Sequence, residues 1–522
     1  MRKHLGIVGA VILLAACSKS DVFKEKEMGD GINILAKMED VYFEEISNVD
    51  LGNVGAAEIT AFDPETKKLF VVNNDGSNNR IDVLDFSNPA APGKIGEIII
   101  APFGGVINSV AVSGKKVAGA IEAVPKTQPG KVVVFDTEDY SVIREITVGA
   151  LPDMVTFSPD GKYIVTANEG EANNYLPGNS NPIGTISIIE IERNYAVTTL
   201  DFSSFEPQKE ALMAKGFRIF GPGASFAQDI EPEYVTISAN SRTAWVSLQE
   251  NNAIAKVDIV SKKITDIYPL GFKDYSKPGN EMDLSDNDGS FGNFKSLPAY
   301  GIYQPDALAV ADFNGVPFVF SANEGDSRSA EDFPGFEEMV RVSNGAVVLS
   351  PAAFDPSVNW KAASNLGRLN ITNTLGRDPV TGVYSGLYSL GARSFSVWNG
   401  HTGSLIFDSG NELDRKSVQA FNEGYGINID GRSDDKGIEP EGIALGRIGN
   451  KTLAFVGMER ANAVAIYDAT NPAKPRFLQW LPSGERPEGV LFIDAKESPN
   501  GKSLLVVSSE NDGTVRSYST VQ

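Results

Sequence analysis

The sequence predicts an all-β fold, a seven-bladed β-propeller with long insertions on one face. Three observations predict it. A unit of short apolar strands joined by tight polar turns recurs seven times along the chain. Each unit holds about four strands within about 45 residues once insertions are set aside, which is the size of one propeller blade. The 51 glycines and 28 prolines supply turns, while 42% hydrophobic residues leave ample material for a core. A β-sandwich array would bury such strands as well, but the strict self-similarity favours the propeller.

The chain opens with a separate segment. Arg2, Lys3 and His4 precede an apolar run from Leu5 to Ala16, too short to span a bilayer core of about 30 Å and laid out as a secretory signal. It ends Leu14-Ala15-Ala16-Cys17 and resembles the lipobox of bacterial lipoproteins, in which the cysteine carries the lipid. An ordinary signal peptide with an incidental cysteine is the alternative. The expected division is residues 1–16 as signal, 17–30 as lipidated Cys17 with a polar tether, and 31–522 as the propeller. The implied location is the bacterial cell envelope, with Ser18 after the cysteine resembling the outer-membrane class of enterobacteria.

Within the body the clearest units begin at Pro152 (PDMVTFSPDGKYIVTANEG), Glu231 (EPEYVTISANSRTAWVSLQEN), Gln304, Glu439 and Arg486, with weaker copies from Ala57 and Ile107. The last unit has only three strands before Gln522, so an apolar stretch near Ile32–Ile46 is expected to supply its outer strand and close the ring.

Aligning the units yields two rings of polar residues. The first strand opens at Glu58, Asn108, Asp153, Glu233, Asp306, Glu441 and Glu488; the second ends at Asn74, Glu122, Glu169, Gln249, Glu324, Glu459 and Glu510. Antiparallel pairing puts the start of one strand beside the end of the next, so both rings lie at one end of the central channel. Carboxylates crowded there either hold protons or share a cation. An oxygen-only donor set suits Ca²⁺ or Mg²⁺ rather than zinc. The metal candidates are Glu169, Glu233, Asp306, Glu324, Asp326, Glu441 and Glu459. The plainer reading is that these residues cap strand ends.

The long insertions, residues 170–183, 203–230, 272–303, 325–390 and 412–437, all follow a second or fourth strand and share that face. Within them Asp283–Gly289 is oxygen-rich, either a solvated loop or a calcium loop. Arg328, Arg393, Arg432 and Arg460 lie near strand ends on the same face, either as phosphate ligands beside a metal or as simple ion pairs. Phe291, Phe294, Tyr300, Phe333, Phe336 and Tyr425 are candidate exposed aromatics for a binding partner.

Composition removes whole classes. Net charge is −22 and falls to about −24 without the signal, the wrong sign for a nucleic-acid binder. One cysteine forbids an internal disulfide, and two histidines preclude the usual zinc sites. Only His401 could serve a histidine mechanism, and it sits in a turn expected on the opposite face. P-loop and dinucleotide fingerprints are absent.

The motifs ANEGDSR (322–328), GARSFSVWN (391–399), DGRSDDKGIEPEG (430–442) and GMERANAVAIYD (457–468) resemble the choice-of-anchor I family, over roughly residues 40–520. That resemblance implies a secreted or surface-anchored propeller, some members being described as alkaline-phosphatase-like. PDMVTFSPDGKYIVTAN also resembles the repeat of YVTN-type surface-layer propellers. Two functions stay open. One is a metal-dependent phosphoester hydrolase in which Ca²⁺ polarises a phosphoryl oxygen and an arginine clamps it; no arrangement names a nucleophile. The other is a non-catalytic surface propeller that binds an envelope protein or glycan, with calcium as structural glue.

Overall fold

The second strand of each unit is a continuous apolar run, because a middle strand of a blade is covered on both faces. Lys68–Asn73, Tyr163–Asn168 and Thr243–Leu248 are each buried from their second residue to their last. First strands are half-buried instead: Pro152–Phe157 and Pro232–Ile237 share one burial pattern, in which the second, third and fifth residues are half-exposed. Fourth strands such as Gly93–Ile99 are mostly exposed.

The structure, a computed structural model, describes residues 41–521 apart from 77, 179 and 180. The expected signal, Cys17 and the tether lie outside the described residues. The described strands pair into seven four-stranded antiparallel sheets, numbered here in chain order. Their first strands are Thr60–Asp63, Ile107–Ser113, Pro152–Phe157, Pro232–Ile237, Leu308–Phe313, Pro440–Ile448 and Pro487–Ile493. Each first strand lies against that of the next sheet, and the seventh lies against the first. The ring is closed, and the apolar cores sit between neighbouring sheets, as between sheets 3 and 4 and between sheets 5 and 6.

Sheet 7 is completed by Tyr42–Asp50, which pairs with Thr514–Val521 as its outer strand. Closure therefore uses a segment that starts and ends later than the Ile32–Ile46 stretch. Phe43 is buried and meets the ring of Phe455 in sheet 6 edge-on at 5.3 Å. Gln479, on the outer strand of sheet 6, receives the Phe43 N–H at 2.9 Å and donates to its carbonyl at 2.8 Å. Replacing Gln479 with leucine removes both bonds. The expected loss is about 1–3 kcal/mol, from about 0.5–1.5 kcal/mol per net hydrogen bond, read as a lower urea midpoint.

The insertions are packed, not loose. Residues 272–303 and 325–390 share a core of their own that includes Tyr275, Met282, Leu366, Ile371 and Leu387. The base of the longer insertion is pinned where Gly325 and Gly391 cross. Gly391 has φ 71°, and a Cβ there would lie 2.0 Å from the Glu324 carbonyl. The last long insertion carries the helix Glu412–Asn422. Among the described residues no helix is long and apolar enough to cross a membrane.

Candidate functional site

A repeated buried asparagine sets the channel mouth. Asn168 closes the second strand of sheet 3, donates to Thr185 and Ser187, and accepts from Thr166. Asn323 does the same in sheet 5 with Ser394, Ser396 and Ser321. Each lock places the next residue, Glu169 or Glu324, at the mouth. The first-strand carboxylates arrive by strand alternation, since residues that skip one position face the channel.

A cavity of about 440 Å³ occupies the channel, lined by Asn108, Asp153, Glu233, Asp306, Glu324, Glu441 and Glu488 among others. Glu233 Oε2, Glu441 Oε2 and Glu488 Oε2 are buried oxygens with no hydrogen-bond partner among the described residues. Burial pushes Glu58 up to about 8 and Asp153 to about 7. Burial, reinforced by neighbouring carboxylates, holds Glu233, Asp306, Glu441 and Glu488 well above the usual range. Asn74 donates to Glu58 at 2.7 Å, Gln249 donates to Glu324 at 2.9 Å, and the Val106 N–H reaches Glu122.

A second group stands at the rim beside sheet 6. Glu324, Glu439 and Glu459 each bring a carboxylate oxygen within 4.8 Å of the others. Here the protein supplies the positive charge. Lys436 bonds Glu324 at 2.9 Å and lies 3.5 Å from Glu439 and 3.6 Å from Asp326. Arg432 bonds Glu439 and Asp435, and Arg460 bonds Glu439 at 2.9 Å and Glu459 at 3.1 Å. Burial opposes charge on Glu439, but these three cations hold its carboxyl down at about 2. Burial and the neighbouring Glu439 push Glu459 up to about 8.

Two of the four expected phosphate ligands are interior instead. Arg328 is 1% exposed, bonds Asp229 at 2.5 Å and Glu231 at 2.6 Å, and lies 4.4 Å above the ring of Phe220. Arg393 is as deeply buried and donates to the carbonyls of Asp283, Ser433 and Asp435, each at 2.8 Å. The Arg328 donors and the terminal nitrogens of Arg393 bind segments of the chain, while Arg393 Nε is buried with no partner among the described residues. Arg432 and Arg460 do stand at the mouth, with their near carboxylates engaged.

The Asp283–Gly289 loop is largely engaged from within the chain, although Asp288 Oδ1 is buried with no hydrogen-bond partner among the described residues. Asp283 accepts the N–H groups of Gly292 and Asn293, Asp286 takes Arg368, and Asp288 takes Lys295. Of the six aromatics expected on the surface, Tyr425 is exposed, at 46%. Phe333 is buried against Tyr175, Tyr300 stacks on Tyr388, Phe291 meets Phe421, and Phe294 lies under Arg415. Apolar side chains in long loops pack on one another unless a partner covers them, and five of these six do so, wholly or in part. His401 is exposed in the turn between the third and fourth strands of sheet 5.

Sequence reasoning passed over Glu231, Glu250, Glu439 and Lys436. A usable signal was present: Glu-Pro-Glu opens both sheet 4 (231–233) and sheet 6 (439–441). The second glutamate of each triplet lies in the first strand and lines the channel, whereas the first precedes the strand-opening proline and stays at the rim, with a register shift just after that proline.

A closed ring of four-stranded sheets, with packed insertions over one acidic channel mouth, defines a β-propeller. The choice-of-anchor I domain profile matches residues 58–472. The chain belongs to the choice-of-anchor I family, a β-propeller surface domain. Gigasin-3a of Magallana gigas is 29% identical over 189 residues, 31% of this chain and 66% of that protein. The mesenchyme-specific cell surface glycoprotein of Strongylocentrotus purpuratus is 26% identical over 329 residues, 54% of this chain and 42% of that protein. The chain thus spans less than two thirds of either relative. Among solved structures, the hydrazine synthase of Kuenenia stuttgartiensis aligns with TM-score 0.47 and 14% identity, over 89% of this chain and 96% of that one. The WD40 domain of Toxoplasma gondii coronin aligns with TM-score 0.49 and 9% identity, over 92% and 86%.

Proposed function

We propose that this protein is a cell-envelope β-propeller that binds a divalent cation, Ca²⁺ or Mg²⁺, in the mouth of its acidic channel. It presents its insertion face to an envelope protein or glycan and is held at the membrane through a lipidated Cys17. The observation that carries the cation is the set of orphaned buried oxygens, Glu233 Oε2, Glu441 Oε2 and Glu488 Oε2, around a cavity of about 440 Å³. Hard cations take six to eight oxygen ligands, and carboxylates with no other partner are suited to supply them. The binding role is preferred to phosphoester hydrolysis because Arg328 and Arg393 are consumed inside the fold. A hydrolase would have to rely on Arg432 and Arg460, which already pair with Glu439.

The test uses the full chain in detergent, stripped with chelator and titrated with Ca²⁺. The melting temperature is expected to rise, since a ligand at a hundred times its dissociation constant adds about 2.7 kcal/mol. Glu441→Gln should blunt the rise, and a chromogenic phosphomonoester should stay intact. Calcium-dependent turnover that disappears in Glu441→Gln would replace the binding role by the hydrolase. An unchanged melting temperature would remove the channel cation.

A further inference from the structure

The rim beside sheet 4 repeats the arrangement at sheet 6 with one change of sign. Glu169 and Glu324 both follow the asparagine that ends a second strand. Glu231 and Glu439 both precede the proline that opens the next sheet. Pro232 pairs with Leu248 and Pro440 with Met458, so the register makes Gln249 the counterpart of Glu459 and Glu250 the counterpart of Arg460. At sheet 6 the carboxylates are neutralised by Lys436, Arg432 and Arg460. At sheet 4 the position of Arg460 holds an acid.

We propose that Glu169, Glu231 and Glu250 form a second cation site, for a hard divalent ion such as Ca²⁺, at the rim between sheets 3 and 4. Each offers a carboxylate oxygen, and the three oxygens lie within 4.8 Å of one another. Oxygens bound at about 2.4 Å to one Ca²⁺ can be no more than about 4.8 Å apart, so the set fits around a single ion. Glu231 supplies an independent pointer. It is 1% exposed, Arg328 occupies its Oε2, and its Oε1 is buried with no hydrogen-bond partner among the described residues. Glu250 is 7% exposed.

The neighbouring backbone is held rigidly enough to make a site. Asn251 accepts the Glu231 N–H at 3.1 Å and donates to the carbonyls of Asp229 at 2.6 Å and Arg218 at 3.0 Å. Of the nearby cations, Arg328 is shared between Asp229 and one oxygen of Glu231, and Lys126 pairs with Glu171. Burial, reinforced by Asp153, Glu231 and Glu250 at Glu169 and by Glu231 and Asp326 at Glu250, holds both well above the ordinary carboxylate range, and burial raises Glu231 as well. Three protein cations meet the sheet-6 triad, whereas the sheet-4 triad is met by Arg328 through Glu231 Oε2, which leaves Glu231 Oε1 for an ion.

The sheet-6 triad tells which substitution tests this. Glu250→Arg rebuilds the sheet-6 charge pattern at sheet 4, and Glu250→Gln removes the charge alone. Calorimetric titration of the full chain in detergent with Ca²⁺ should give two ions for the wild type. Glu250→Arg should lose one, Glu250→Gln should weaken one by about tenfold or more as a charged ligand is lost, and Glu441→Gln should lose the other. Unchanged stoichiometry and affinity in both Glu250 variants would overturn the rim site. A single ion in the wild type, weakened in the Glu250 variants and kept in Glu441→Gln, would overturn the channel reading and leave the rim site standing. Should Glu250→Arg fail to fold by circular dichroism, Glu250→Gln and an anomalous map of wild-type crystals grown with Mn²⁺ decide the matter, and no peak at the triad would overturn the proposal.

Discussion

Replacing Arg328 with alanine is expected to cost about 3–5 kcal/mol, the usual penalty for removing one partner of a buried ion pair. The reason is what stays behind. Asp229 and Glu231 are both buried, with side chains 0% and 1% exposed, and each loses the cation that pairs with it. Phe220, packed between Arg218 and Arg328 at 4.2 and 4.4 Å, also loses one face of its contact. Arg328→Lys should recover only part, because an ammonium cannot span both carboxylates as the planar guanidinium does. Guanidinium unfolding at neutral pH checks it. A loss under about 1 kcal/mol, the range of an exposed pair, would show that the site is solvated and that Arg328 holds nothing together.

Stability of the metal-free protein is expected to fall as pH rises from about 4.5 to 8. Carboxyls raised by burial, Glu58 to about 8, Asp153 to about 7 and Glu459 to about 8, keep protons in the folded state that the unfolded chain has already released. In that window the unfolded state binds fewer protons, so stability drops by about 1.4 kcal/mol per pH unit for each proton held. Glu439, drawn down to about 2, acts in the opposite sense. Its stabilisation is complete above about 4.5 and is lost only as pH falls toward 2, outside the window. Saturating Ca²⁺ should flatten the slope, because an ion in the channel replaces the protons. Urea unfolding at pH 5, 6, 7 and 8, with chelator and with Ca²⁺, gives the comparison. Stability that is flat or rising with pH in chelator would contradict a proton-holding channel.

Much of the architecture was legible because a repeat displays the same local physics several times. The apolar second strands, the turn residues and the acids at strand starts recur at matching offsets, so even a weak signal in one unit is reinforced by the others. The carboxylates Glu233, Asp306, Glu441 and Glu488 were found that way, and they line one cavity. What did not repeat was less legible. Arg328 and Arg393 stand in the insertions, where no periodicity shows whether an arginine faces solvent or three carbonyls. The aromatics Phe291, Tyr300 and Phe333 looked exposed because loops usually are, and they pack because other parts of the chain meet them: Phe421 at Phe291, Tyr388 at Tyr300 and Tyr175 at Phe333.

By itself the sequence determined the class of fold, the face that carries the acids and the excess of negative charge. These follow from strand alternation, antiparallel pairing and composition, which are local or additive. Tertiary structure decided which charges meet. Glu439 is neutralised by Lys436 and Arg460 while Glu231 keeps an unpartnered oxygen, although both open their sheets with the same Glu-Pro-Glu. That difference depends on which residue the neighbouring strand and insertion bring within about 4 Å, and electrostatic energy at such distances is set by geometry and burial that no single segment encodes.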